Sequence, residues 1–161
     1  MARAPRVARG AGGITYFELV ATAAILMILA SAIMPVASVA YKRQKDIELR
    51  RVLREIRTAI DEYKKHVDAG QIGGTDVRLG SEGYPPELET LVKGVSLVGR
   101  VDTKKKFLRR IPKDPMAGST EWGLRCYQDE PDSESWCGSN VYDVYSKNQG
   151  KGLDGTLYKD Y

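Results

Sequence analysis

Apolar and polar positions change rhythm sharply once along this chain. Positions 19–40 carry no formal charge, and their only polar side chains are Thr22, Ser31 and Ser38. At about 1.5 Å of rise per helical residue, this stretch covers the roughly 30 Å hydrocarbon core of a bilayer. Beyond it the pattern turns amphipathic. Lys42, Arg43 and Lys45 come first, then charges of both signs, with Leu49, Val52, Leu53, Ile56, Ile60, Tyr63 and Val67 recurring mostly at steps of three and four. That spacing predicts one apolar stripe on a continuous helix, with Gly70 as its stop. Residues 14–68 would then form a rod of roughly 80 Å, apolar all round in its first half and amphipathic in its second. The stripe suits a coiled-coil stalk or packing on a compact domain. Its shortness, and the domain-sized remainder that follows, favour packing.

The remainder reads as short elements. Residues 70–83 are glycine-rich, with Asp76, Arg78 and Ser81 interspersed, as in an exposed loop. Tyr84-Pro85-Pro86 forces an extended entry, and residues 87–92 read as a short helix with Leu88, Leu91 and Val92 on one side. Ile111-Pro112-Lys113-Asp114-Pro115 fixes two backbone angles close together and predicts a rigid loop leading into a sheet. Extended segments are expected at 122–127, 141–146 and 156–158. The middle one, with Asp143 the sole charge in Val141-Tyr142-Asp143-Val144-Tyr145, suits a small antiparallel sheet. Altogether the pattern predicts an α+β fold.

Charge matters once it is located. The chain carries 25 basic and 21 acidic residues, but Arg3, Arg6 and Arg9 precede the apolar run with no acid among them. Without residues 1–13 the balance falls from 25 − 21 = +4 to 22 − 21 = +1, so nothing in the remainder demands a nucleic-acid partner. The arginines ahead of the span place the C-terminal part across the membrane. Lys104, Lys105, Lys106, Arg109 and Arg110 form the one basic cluster, interrupted by Phe107 and Leu108. It suits a solvated face, or an electrostatic contact with an acidic neighbour or lipid headgroups.

Glu18 stands at the mouth of the span, where an unpaired carboxylate is costly and signals function. A secretory signal is the competing explanation, since Ala30-Ser31-Ala32 and Val36-Ala37-Ser38 mimic cleavage sites. Against it, a signal peptide carries positive charge where Glu18 sits, and here the apolar run passes smoothly into an amphipathic helix. Pro35 withholds a backbone donor within the span and predicts either a kink or locally melted turn or a proline the membrane helix tolerates. His66, the only histidine, reads as a residue solvated or serving the dipole at a helix C-terminus. Cys126 and Cys137 flank an acidic, proline-containing loop. Zinc would need about four ligands, so in an oxidising compartment a disulfide is the economical reading. No nucleophile elbow, phosphate-cradling loop or histidine–carboxylate motif is present, so an enzyme is not expected.

Arg9 to Leu19, R-G-A-G-G-I-T-Y-F-E-L, resembles the leader junction of type IV pilins and type II secretion pseudopilins. In that family a basic leader ends in Gly, here Gly13. An apolar first mature residue follows, here Ile14, with Glu as the fifth, here Glu18. Pro35 falls where the family commonly has proline. Ile14 stands in place of the commoner Phe or Met, and Tyr16-Phe17 are bulkier than usual. Gly83-Tyr84-Pro85-Pro86, Arg110 to Pro115, Tyr142-Asp143-Val144-Tyr145-Ser146 and Leu153-Asp154-Gly155-Thr156 follow in an order that resembles the major pseudopilin of type II secretion.

The resemblance implies a pilin-like fold: leader 1–13, transmembrane and assembly helix 14–40, its amphipathic continuation 41–69, and a periplasmic domain 70–161. It implies cleavage between Gly13 and Ile14 by a prepilin peptidase, methylation of the new amine, and pairing of Glu18 with that amine on a neighbouring copy. Partners would be further copies in a helical homopolymer, an inner-membrane assembly platform, minor pseudopilins and the membrane itself. The expected location is a single pass through the inner membrane, with the assembled filament in the periplasm or on the cell surface. No cofactor is required. The family's loop after the Tyr-Asp-Val-Tyr-Ser strand often binds calcium, for which Asn148 and Asp154 are the candidates. Lys147 and Lys151 depart from the family's acid-rich loop, and the stronger reading has Asp154 bonding backbone N–H groups to shape a turn with Gly155. The major pseudopilin usually lacks a disulfide whereas type IV pilins commonly carry one, which keeps a surface pilin for adhesion, motility or DNA uptake as the rival. An uncleaved, membrane-anchored binding module is the third reading.

Overall fold

One helix, α1, runs Tyr16–Asp68 through the apolar stretch and the amphipathic stripe alike. This computed structural model describes residues 13–73 and 77–161, with the side chains at 32–35 and 100–103 outside that description. Arg3, Arg6, Arg9 and Asp76 therefore lie outside the described residues, as does the Pro35 ring. The backbone groups into two units, Met1–Ala40 and Tyr41–Tyr161, and each is taken by itself.

Within the first unit the helix stays unbroken through position 35, so the melted turn expected at Pro35 does not occur. One missing donor is a local loss, while Ala, Leu, Ile and Met around it propagate the helix well. The Ser31 hydroxyl donates to the Ile28 carbonyl at 2.7 Å, a bond internal to the helix.

In the second unit the stripe does what its spacing predicts. Leu49, Val52, Leu53, Ile56, Ile60 and Tyr63 are buried, with Val67 half-buried at the end of the row. They share one core with Leu91, Leu108, Trp122, Val141 and Val144 of the domain that follows. Burial of each such aliphatic side chain is worth about 1.5–3 kcal/mol, enough to fix which face of α1 turns inward. The stripe thus packs on its own domain. The helix stops as expected: Gly70 takes φ +65° and donates to the Val67 carbonyl, and Gln71 and Ile72 both donate to His66.

After α1, the helix α2 (Leu88–Lys93) leads into β1 (Val95–Leu97) and β2 (Arg100–Lys105), an antiparallel pair with an irregular register after Ser96. A second antiparallel pair joins β3 (Gly123–Arg125) to β4 (Asp143–Tyr145). The layout is α+β with two two-stranded sheets, where the pattern had predicted a single small sheet. The Pro112–Pro115 loop lies between the pairs and, lacking donors at both prolines, does not extend the first sheet into the second. Each ribbon alone would be marginal and depends on packing against the shared core. Opposite Gly123 sits Tyr145, whose ring lies so close that it leaves no room for a Cβ at position 123.

Three expectations are adjusted. Residues 156–158 form no strand: Leu157 makes an isolated bridge to Lys151, and Tyr158–Asp160 is a 3₁₀ turn. The glycine-rich stretch is not wholly exposed, since Ile72 and Ser81 are buried. His66 does stand in the last turn of α1, one of its two expected places. It is half-buried rather than solvated, its Nδ1 3.0 Å from the Glu62 carbonyl and its ring set edge-on to Phe107.

Candidate functional site

The segment singled out by sequence begins at Gly13 and Ile14, both exposed, and enters α1 at Thr15. Thr15 Oγ1 accepts the Glu18 N–H at 3.2 Å, and the Thr15 carbonyl accepts the Leu19 N–H at 3.0 Å. Thr15 is therefore the N-cap, satisfying a donor that a helix start otherwise leaves open. Glu18 falls in the first turn, where the helix dipole favours a negative charge. Threonine followed three residues later by glutamate is a capping-box signature, a local signal carried by the sequence itself. Among the described residues no cation pairs with the Glu18 carboxylate.

Around this carboxylate the surface is apolar. Ile14, Tyr16, Phe17, Leu26, Met27 and Ile28 are each at least 65% exposed, far above what a packed helix shows. The helix is long and apolar enough to cross a membrane, and none of its most apolar window is buried within the chain. A patch of this size on a helix needs another apolar environment, either lipid or protein.

The C-terminal candidates are distributed differently. Asp154 spends its oxygens on the chain itself. Oδ1 accepts the Thr156 N–H at 3.0 Å and the Tyr161 hydroxyl at 3.1 Å, while Oδ2 meets the Arg50 guanidinium at 2.8 Å. The Thr156 N–H, followed by the Tyr161 hydroxyl and the Arg50 charge, holds this carboxyl below its ordinary value. Gly155, at φ +84°, completes the turn. Asn148 is equally engaged, with Oδ1 accepting Gly150 N–H at 2.8 Å and Nδ2 donating to the Met116 carbonyl at 3.1 Å. An ion held by these two residues would have to displace Arg50 and two turn-forming bonds, so their chemistry fits turn formation better than calcium coordination. Asp46 lies beside the same turn, with Oδ2 accepting the Leu153 N–H at 3.1 Å. Burial, then the Asp46 carboxylate, pushes the Tyr158 phenol up to about 12.

Cys126 and Cys137 form a disulfide, with Cα atoms 6.0 Å apart. Asp129 lies close to both sulfurs, but the sulfurs are bonded to each other and Asp129 Oδ2 accepts the Cys126 N–H at 2.7 Å. The disulfide closes the loop between β3 and β4, and Lys159 anchors it further by pairing with Glu134 at 2.6 Å.

Two buried or half-buried carboxylates that sequence reasoning had not singled out for a role hold the domain on α1 and on itself. Asp143 takes Arg57 through both nitrogens, Nε to Oδ1 at 2.6 Å and Nη2 to Oδ2 at 3.2 Å, and Arg57 also reaches the Tyr161 carbonyl at 2.8 Å. Asp114, fully buried, accepts the Ser146 hydroxyl at 2.5 Å and the Met116 N–H at 2.7 Å. It thereby ties the proline loop to the end of β4, while the Trp122 indole donates to the Pro112 carbonyl at 3.0 Å.

No family model, no curated protein and no solved structure matches the chain.

Proposed function

We propose that this chain is a structural subunit with a pilin-like fold that polymerises through its N-terminal helix into a pilus-like filament, most closely the pseudopilus of a type II secretion system. The observation that carries the reading is the helix start itself. A single carboxylate, Glu18, opens a span whose large apolar side chains, among the described residues, are left exposed. Cleavage after Gly13 creates an amine on Ile14, four residues from Glu18. In a stack of staggered copies the amine of one subunit meets the carboxylate of its neighbour. Neither charge is stable alone among apolar side chains, so their pairing selects a register.

In this reading a prepilin peptidase cuts the leader on the cytoplasmic face, an assembly platform with minor pseudopilins lifts the subunit from the inner membrane, and the domain stands in the periplasm. The protein then moves or gates exported cargo without catalysing a reaction. The disulfide favours a second reading, a surface type IV pilin, because the type IV pilins that the chain resembles commonly carry one and the major pseudopilin usually does not.

Mass spectrometry of the membrane-extracted protein tests the first step. A mature N-terminus at Ile14 is expected, and an intact Met1 would favour a plain membrane-anchored module instead. Glu18→Ala should leave insertion and cleavage intact while abolishing filaments, and normal filaments in that variant would refute the role of Glu18. Deleting the gene and scoring protein export against twitching motility separates the secretion and surface readings.

A further inference from the structure

We infer that a groove on the globular unit receives the acidic, disulfide-closed loop of a second copy of this chain, a lateral contact separate from the pairing at Glu18. The inference rests on the filament reading above. The groove, of about 780 Å³, runs between one edge of α1 and residues 107–112. Arg51, Arg54, Glu55, Thr58 and Glu62 lie along that edge at helical spacing, and Arg109 and Arg110 face them. Leu91 holds the far wall in place, its carbonyl accepting the N–H groups of Phe107 and Leu108 at 2.9 and 3.0 Å.

The charges in the groove are unequally satisfied. Arg51 pairs with Glu48 and Glu55, and Glu62 pairs with Lys105. Arg54, Arg109 and Arg110 have no ion-pair or hydrogen-bond partner among the described residues. Three arginines lining one concavity offer a site for carboxylates, which guanidiniums bind through paired N–H donors.

The chain carries a matching group elsewhere. Glu130 and Asp132 are exposed on the Cys126–Cys137 loop and likewise have no side-chain partner among the described residues. Their loop is already ordered. Arg125 Nε donates to the Ser133 carbonyl at 3.0 Å, the Ser133 N–H donates to the Glu130 carbonyl at 3.0 Å, and Glu134 is held by Lys159. A preformed loop loses little conformational entropy on docking.

Groove and loop belong to different elements, so the contact is heterologous: one patch of each copy meets another patch of the next. Contacts of that kind propagate into open helical polymers unless the rotation happens to close a ring. Single exposed ion pairs contribute little. Their value here is in fixing the rotation and register between neighbours.

Charge exchange in the full chain tests the contact in cells that assemble it. Arg109→Glu with Arg110→Glu should lower pelletable filament about tenfold, as should Glu130→Arg with Asp132→Arg, because each sets like charges against each other. All four changes together should restore assembly. Since the residues are exposed, thermal unfolding of each variant should match the parent. In assembled Arg110→Lys filaments, a carbodiimide should join position 110 of one copy to position 130 or 132 of another. If the parent chain assembles but exchange gives no rescue and no such cross-link forms, the contact is wrong while the filament reading stands. If the parent never assembles, the filament reading itself fails. Loop variants that assemble normally while the 109/110 variant does not, together with phosphatidylglycerol in detergent micelles raising the melting temperature of the parent but not of the 109/110 variant, would assign the groove to lipid headgroups instead.

Discussion

Residues 16–40 and 41–68 share one helix, and they differ in what their apolar side chains touch. In the second stretch Leu49, Ile56 and Ile60 are wholly buried in the domain's core. In the first, Leu26, Met27 and Ile28 are about as apolar and remain exposed. The backbone is the same; the arrangement of charge is not. Once charges of both signs occupy the outer face, only one stripe is left to bury, and a small domain is large enough to cover it. A stretch apolar on every side cannot be covered by one domain and calls for lipid or other helices. The second half is thus built for folding, and the first presents apolar side chains that the fold leaves exposed.

The strongest way to break this comparison is to truncate one side chain in each half. Ile60→Ala should lower the stability of the full chain in detergent micelles by about 2–5 kcal/mol, through lost burial and the cavity left behind. Leu26→Ala, judged by thermal unfolding of the same domain, should change it by under about 0.5 kcal/mol. Equal losses would mean that the exposed half also packs within the chain.

The disulfide sharpens the point that folding resides in the second unit. Reduction opens a loop with a sequence separation of 11 residues and should cost on the order of 3 kcal/mol on the chain-entropy account. The melting temperature with and without reductant measures it. Asp114→Ala should cost about 1–3 kcal/mol, since the Ser146 hydroxyl and the Met116 N–H are left without their acceptor. Chemical denaturation of the full chain would show it.

Smallest is the effect of pH at Asp154. Its folded carboxyl titrates below the ordinary value of 3.8, so the stability it contributes is present above that value and is lost as pH falls below it. Asp154→Asn should therefore melt slightly lower than the parent at neutral pH, and the two curves should converge in acid. A difference that grows on acidification would reverse the sign and remove the proposed set of donors around this carboxylate.

The sequence shows some of these features directly and hides others. The Leu49–Val67 stripe is legible because spacing of three and four survives whatever the helix packs against. The stop at Gly70 and the short helix near Leu88 are local in the same sense. The β1–β2 pair escapes notice because Arg-Val-Asp-Thr-Lys-Lys is too charged to read as a strand, and it becomes one only through pairing with Val95 and Ser96. The segment at 156–158 misleads in the other direction: β-prone residues there are drawn into a bridge and a 3₁₀ turn. Thr15 was legible as a cap. Asp114 and the Arg57–Asp143 pair were not, because nothing near them in sequence announces partners 32 and 86 residues away.

What this chain's sequence determined by itself is therefore whatever depends on neighbours along the chain. It set the uncharged span, the carboxylate at its mouth, the amphipathic switch at Tyr41 and the cysteines flanking one loop. Only the tertiary structure decided where the charges end up. It satisfied Asp154 through Arg50 and a turn, buried Asp114 against Ser146, and left Arg54, Arg109 and Arg110 around one groove without a partner among the described residues. Periodicity and propensity act within a few residues. A charge is satisfied by whatever the fold carries to within about 3 Å of it, and that distance is set by packing.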